Sequence, residues 1–136
     1  MSPAPHTLAL VLAAAVLAAC SGPQSEVGRT GIMASSSLGT LEATLPPSIP
    51  VLTISAAAER ALRARGFTIT EKTASEDRAH IEAQQRSPGV LESVSVWVST
   101  LAAGPGLRVR VEPLGDEARS RVVMEGILTE LGLARR

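Results

Sequence analysis

From residue 39 onward the apolar positions of this chain follow two rhythms, one of period two and one of period three to four. Leu41, Ala43 and Leu45 alternate with polar neighbours until Pro46-Pro47 stops the run, which predicts a short strand over 39–45. Val51, Ile54, Ala58, Ala61 and Leu62 then recur at helical spacing, with Glu59, Arg60 and Arg63 on the opposite side. Ser48 stands where an N-cap side chain would accept a first-turn amide hydrogen. Pro50 is tolerated in that turn because its amides lack intrahelical acceptors, and Gly66 is the expected stop.

Period two returns after Gly66. Phe67 and Ile69 alternate with Thr68 and Thr70 before the polar stretch from Glu71 to Asp77, and Ala79, Ile81 and Ala83 alternate with His80, Glu82 and Gln84 up to a turn at Ser87-Pro88-Gly89. Val94, Val96 and Val98 share one side of the next run, and Ser95, Trp97 and Ser99 the other. After Gly104-Pro105-Gly106, Leu107, Val109 and Val111 alternate with Arg108, Arg110 and Glu112. Strands that are apolar on one side only belong to an antiparallel sheet with one solvated face. Gly115-Asp116-Glu117 opens a last helix, in which Asp116 is placed to cap and Glu117 to meet the positive end of the helix dipole. Its apolar stripe is Val123, Met124, Ile127, Leu128 and Leu131, and Gly132 marks its end. The pattern predicts one α+β domain over 39–132, a mainly antiparallel sheet of about five strands with two helices on one face, in the order strand, helix, four strands, helix. Residues 133–136 form a short tail whose Arg135-Arg136 reads as solvated.

Before residue 39 the rhythm disappears. Residues 21–38, SGPQSEVGRTGIMASSSL, are rich in Ser and Gly, which predicts a flexible tether of about 25 Å r.m.s. length. Ahead of it, Leu8 to Ala19 reads LALVLAAAVLAA, an uncharged run shorter than the roughly 20 residues a bilayer-spanning helix needs. It has the length of a signal-peptide core, and Ala18 and Ala19 suit a peptidase that accepts only small side chains near the cut. Leu17-Ala18-Ala19-Cys20 resembles the lipobox of bacterial lipoproteins. The resemblance implies a signal peptide at 1–19, its removal ahead of Cys20, a diacylglyceryl group on the cysteine sulfur and an acylated new amino terminus. Residues 20–38 would then be a lipidated cysteine with its tether. One acyl chain holds a protein to a bilayer only marginally, at ~0.8 kcal/mol per buried methylene, whereas two or three make a durable anchor. The opening MSPAPHT has no Lys or Arg, so its positive charge comes from the α-amino group and His6, which marks an atypical signal or a start displaced from Met1. Ser21 follows the cysteine in place of the Asp that in enteric bacteria resembles an inner-membrane retention signal, which implies the outer membrane, facing the periplasm, in a cell that has one.

Composition narrows the classes of function. The 136 residues carry 13 Lys+Arg against 13 Asp+Glu, and one Phe, one Trp and no Tyr leave little to stack on bases, so nucleic acid is disfavoured as a partner. A single cysteine excludes an internal disulfide and a Cys-based zinc site. His80 falls on the polar side of its strand with Glu82, near Arg108 or Arg110, as a general base would. There is no Gly-x-Ser-x-Gly elbow and no nucleophile at a strand-to-helix turn, so no catalytic residue is assigned. One His with scattered carboxylates makes no metal site, and no cofactor is expected. Trp97, an aromatic among serines, is the candidate contact residue, against the simpler account that it covers the polar side of the sheet.

The layout from about Leu38 to Leu131 resembles a family of small bacterial lipoproteins of uncharacterised function. Its members have a lipobox, a Gly-x-Leu opening of the first strand, an Ala-rich helix ending in Gly, a run of strands, and a closing helix opened by Gly-Asp-Glu with a Ser three residues on. Here these are Gly39-Thr40-Leu41, the segment from Ala56 to Gly66, and Gly115-Asp116-Glu117-Ala118-Arg119-Ser120. The resemblance implies the fold and brings no catalytic residues with it. The expectation is a lipid-anchored, non-enzymatic envelope protein, attached to the membrane through its N-terminal lipid, that binds or scaffolds another envelope component through the open sheet face around Trp97. Two alternatives stand beside it: an accessory lipoprotein of an envelope transport or lipopolysaccharide-assembly machine, and a small hydrolase using His80.

Overall fold

The computed structural model describes residues 23–113 and 115–134. Seven strands form one antiparallel sheet: β1 (Gln24–Glu26), β2 (Met33–Ser37), β3 (Thr40–Thr44), β4 (Thr68–Ala74), β5 (Arg78–Ser87), β6 (Val90–Leu101) and β7 (Gly104–Glu112). Their spatial order is β1-β2-β3-β7-β6-β5-β4. Helix α1 (Val51–Ala64) carries the chain from β3 to β4, and α2 (Glu117–Glu130) follows β7. The fold is α+β.

The sheet is larger than the alternation predicts, because β1 and β2 come from the stretch 21–38 that was expected to be tether. They pair through Gln24↔Ser35, Ser25↔Ala34 and Glu26↔Met33, and β2 continues onto β3 from Ala34↔Ala43 to Ser37↔Thr40. The residues they bury are small, Ala34 together with Val27 and Thr30 of the connecting turn, so no apolar alternation marks them in the sequence. Thr30 Oγ1 donates to the Val27 carbonyl at 2.7 Å and accepts from the Ile32 amide at 3.1 Å, which replaces the solvation that a buried hydroxyl loses. The polar stretch after Ile69 is also strand as far as Ala74 rather than loop. β4 is an edge strand with a bulge between Ile69 and Glu71, so it stays wet and keeps its polar residues.

One side of the sheet builds the core. Leu41, Ile81, Val94, Val96, Val98, Leu107, Val109 and Val111 are buried against Ile54, Ala58 and Leu62 of α1 and Met124, Ile127 and Leu128 of α2. Each fully buried Leu, Ile or Val contributes roughly 1.5–3 kcal/mol relative to leaving it exposed, so both helices are held to this side. Where β4 passes the rim of α1, Lys72 pairs with Glu59, which Arg63 also holds at 3.0 Å. The hydrogen bonds from Lys72 and then Arg63 keep the Glu59 carboxyl below the usual carboxylate range.

The ends of α1 differ from one another. At its C-terminus the Phe67 amide returns to the Leu62 carbonyl and the Gly66 amide to Arg63, both at 3.0 Å, which is the Schellman closure. At its N-terminus Ser48 does not cap. The N-cap is Pro50, at φ −66° and ψ 148°, with no side-chain bond, and Ser48 lies upstream in a turn closed by the Ile49 amide on the Pro46 carbonyl. Proline's fixed φ already suits the extended cap conformation, so the helix starts too far along the chain for Ser48 to reach its first amides.

The entry to α2 gives the Gly-Asp-Glu-x-x-Ser segment a physical account. Asp116 Oδ1 accepts the Arg119 amide at 3.0 Å, and the Asp116 amide donates to the Val111 carbonyl at 3.1 Å. Ser120, fully buried, donates to the Asp116 carbonyl at 2.7 Å and accepts the Val111 amide at 3.2 Å. The serine thus supplies the acceptor that β3, which begins only at Thr40 opposite Arg110, does not offer to Val111 of β7. Ser120→Ala should lower the unfolding free energy by about 1–3 kcal/mol, the cost of leaving a buried amide without a partner. Urea denaturation with an unchanged slope measures this, and a loss below about 0.5 kcal/mol would contradict it.

Candidate functional site

The side of the sheet opposite the helices carries the polar chemistry. Register places one residue from each strand in a single row: Thr73, His80, Trp97, Arg108, Glu42, Ser35 and Gln24, on β4, β5, β6, β7, β3, β2 and β1. Directly paired residues point to the same side of the pleat, so the whole row projects outward. Two-residue turns at Pro88-Gly89 and Ala102-Ala103 fix this pairing for its central members.

The middle of the row is in contact. The His80 ring lies parallel to the Trp97 indole, with centroids 5.5 Å apart and planes 9° from each other. The Arg108 guanidinium carbon is 5.2 Å from the indole centroid. His80 and Arg108 come from the strands on either side of β6, so they cover opposite faces of the indole, which stands between them with its edge outward. Stacking contributes about 0.5–1.5 kcal/mol and an exposed cation–π contact about 0.5–1 kcal/mol. Arg108 Nη1 continues the row toward Glu42 at 3.7 Å.

A second row runs beside it through Glu71, Glu82, Ser95, Arg110, Thr40 and Ser37. Glu82 joins the two rows: one carboxylate oxygen accepts the Ser95 hydroxyl at 2.8 Å, and the other lies 2.7 Å from His80 Nε2. The order is hydroxyl, carboxylate, imidazole. Activating a serine needs the imidazole in the middle, in contact with the hydroxyl, whereas here the Ser95 proton is directed to Glu82.

Two shallow hollows share the outward side, and Arg108 borders both. One, of about 510 Å³, is lined by Thr73, Arg78, His80 and Trp97. The other, of about 710 Å³, lies over β2, β3 and β7 and is bordered by Met33, Thr44, Ser99 and Leu101. Gly106 forms part of its floor: where Arg108 and Arg110 extend long side chains from the same side of β7, Gly106 has none.

The structure therefore brings His80 together with Glu82, the two set on one polar side by their alternation, places Arg108 in the same row, and adds Trp97 and Ser95 to the group. Asp116 sits at the entry of α2 as a cap, and Ser48 in an exposed turn. Leu17, Ala18, Ala19 and Cys20 lie outside the described residues. Among the described residues, no group of three His, Cys, Asp or Glu could hold a metal ion, and no helix is long and apolar enough to cross a membrane. A scan against protein-family models finds no match to this chain, and a search of curated proteins finds none either.

Proposed function

We propose that this protein is a lipid-anchored, non-enzymatic module of the bacterial envelope, attached through Cys20 and binding another envelope component with the outward side of its sheet. The observation that carries the contact reading is the His80-Trp97-Arg108 stack. An indole held on both faces is already ordered, so a partner that meets its exposed edge loses little further conformational entropy. Trp and Arg are the side chains most enriched where contacts carry binding energy, and the hollows on either side of Arg108 offer room for a partner's side chains. The anchor reading is supported by the Leu17-Ala18-Ala19-Cys20 motif at the end of an apolar run. An accessory lipoprotein of a transport or lipopolysaccharide-assembly machine would use the same surface and differ only in its partner. A hydrolase using His80 has the Ser95-Glu82-His80 order against it.

Trp97→Ala removes both ring contacts at a cost of about 1–2 kcal/mol and should leave the circular dichroism spectrum unchanged. The yield of complex crosslinked in intact cells is expected to fall about tenfold, the effect of losing roughly 1.4 kcal/mol at a contact. Recovery of the same partners at the same yield would overturn the sheet-face reading.

A further inference from the structure

We infer that the end of the sheet at which the chain enters β1 is a membrane-contacting surface, with Leu38 and Val90-Leu91 set into the headgroup layer of a bilayer. This rests on the lipidation of Cys20 proposed above. Because β1 begins at Gln24, residues 21–23 alone separate it from the anchor. Fully extended, that connection spans at most about 14 Å, where the composition of 21–38 had suggested a far longer tether. A domain held so closely cannot stand clear of the lipid.

Strand direction identifies the end that faces the membrane. In an antiparallel sheet of this order, the starts of β1, β3, β4 and β6 lie together with the ends of β2, β5 and β7. The turns at this end include Leu38-Gly39 between β2 and β3, and Pro88-Gly89 between β5 and β6, leading into Val90-Leu91. Leu38 is 92 % exposed, the most exposed large apolar side chain among the described residues, and Val90 and Leu91 are 52 % and 50 % exposed. The Leu38 turn is braced, since its carbonyl accepts a hydrogen bond from the Arg110 side chain. The brace keeps this leucine presented to whatever lies at this end of the sheet.

Distance makes lipid the neighbour there. Gln24 pairs with Ser35, so Leu38, three residues further along the chain, stands about 10 Å beyond Gln24 toward the same end. That uses most of the connection's maximal reach and brings the Leu38 tip within several Å of the anchor's depth, where a headgroup layer is itself roughly 5–8 Å thick. The opposite end also exposes apolar side chains, Met33 at 48 % and Leu101 at 51 %, but none as far as Leu38, and its β4–β5 turn is Ser75-Glu76-Asp77, whereas the acidic Asp116 and Glu117 of the tether end lie at the α2 entry and not in the Leu38 or Val90 turns. With the tether end on the lipid, the outward side of the sheet around Trp97 remains uncovered.

The test uses the full chain, expressed with its signal, purified from membranes and placed in vesicles of phosphatidylethanolamine and phosphatidylglycerol. Leu38→Cys and Leu91→Cys are each labelled with a polarity-sensitive fluorophore, and Ala102→Cys in the β6–β7 turn serves as the far-end control. The two tether-end variants lie in different turns, so a local disturbance at one leaves the other informative. A lipid-bearing Cys20 has no free thiol, which confines the label to the introduced position. Probes at 38 and 91 are expected to shift to the blue and to be quenched by a bilayer-embedded quencher about fivefold more than the probe at 102. The intact mass is read first. A chain without lipid on Cys20 overturns the anchor reading and this inference together, whereas a lipidated chain whose probes at 38 and 91 are quenched no more than at 102 overturns the inference alone.

Discussion

Cys20→Ser is expected to leave the chain as an unprocessed precursor that still carries residues 1–19 and bears no lipid. The reason is the nucleophile. A thiolate reacts readily and its sulfur holds the acyl-bearing group as a thioether, whereas a serine hydroxyl is a much weaker nucleophile at neutral pH. In lipoproteins that share this motif the cut follows at the modified residue, so one oxygen-for-sulfur exchange should block both steps. Intact mass spectrometry separates the forms without ambiguity, because the precursor keeps Met1 through Ala19 and lacks acyl mass. A serine variant cut at the same bond as the parent chain would remove lipidation from the account.

Gly39→Ala is expected to lower the unfolding free energy by about 2–4 kcal/mol and the melting midpoint by roughly 10–20 °C. Gly39 has φ +78°, a conformation that costs an alanine about 1–2 kcal/mol. Its missing side chain matters as much. A Cβ there would fall on the carbonyl oxygen and Cα of Gly115, backbone atoms of the segment that leads into α2 and cannot swing aside as a flexible side chain would. Gly31→Ala provides the control, since Gly31 has φ +71° with nothing within 4 Å of an added Cβ. It should lose the conformational part alone, about 1 kcal/mol. Equal losses at the two positions would show that the approach of the β2–β3 turn to the α2 entry contributes nothing.

These two variants also mark what the sequence makes legible. Wherever one side of an element packs on the core with Val, Leu or Ile, the period is visible, and both helices together with β3, β5, β6 and β7 follow from it. β1 and β2 escaped because they bury little beyond Ala34, and a run of serines beside small residues resembles a linker. β4 escaped past Ile69 because an edge strand with a bulge exposes both of its sides. Ser48 was misplaced for a different reason: cap propensity favours it, but the geometry of Pro50 sets the start of the helix. At the site, Trp97 stood out as an aromatic among serines and His80 by its side of the strand. Their stacking, and the place of Arg108 on the other face of the indole, depend on register, which two-residue turns set and which no single strand's pattern contains. The Ser95-Glu82-His80 order is further out of reach, because it depends on which carboxylate oxygen each partner finds.

The claim that the outward side of the sheet is the contact surface is tested most directly by site-specific photo-crosslinking in intact cells. A photoreactive residue is placed at Thr44 or Ser99, both exposed beside Gly106 on the outward side, and in parallel at Val122, which is 47 % exposed on α2. The account predicts discrete adducts from Thr44 and Ser99 that fall about tenfold when Trp97→Ala is added, and none from Val122. Adducts from Val122 with none from Thr44 or Ser99 would contradict it.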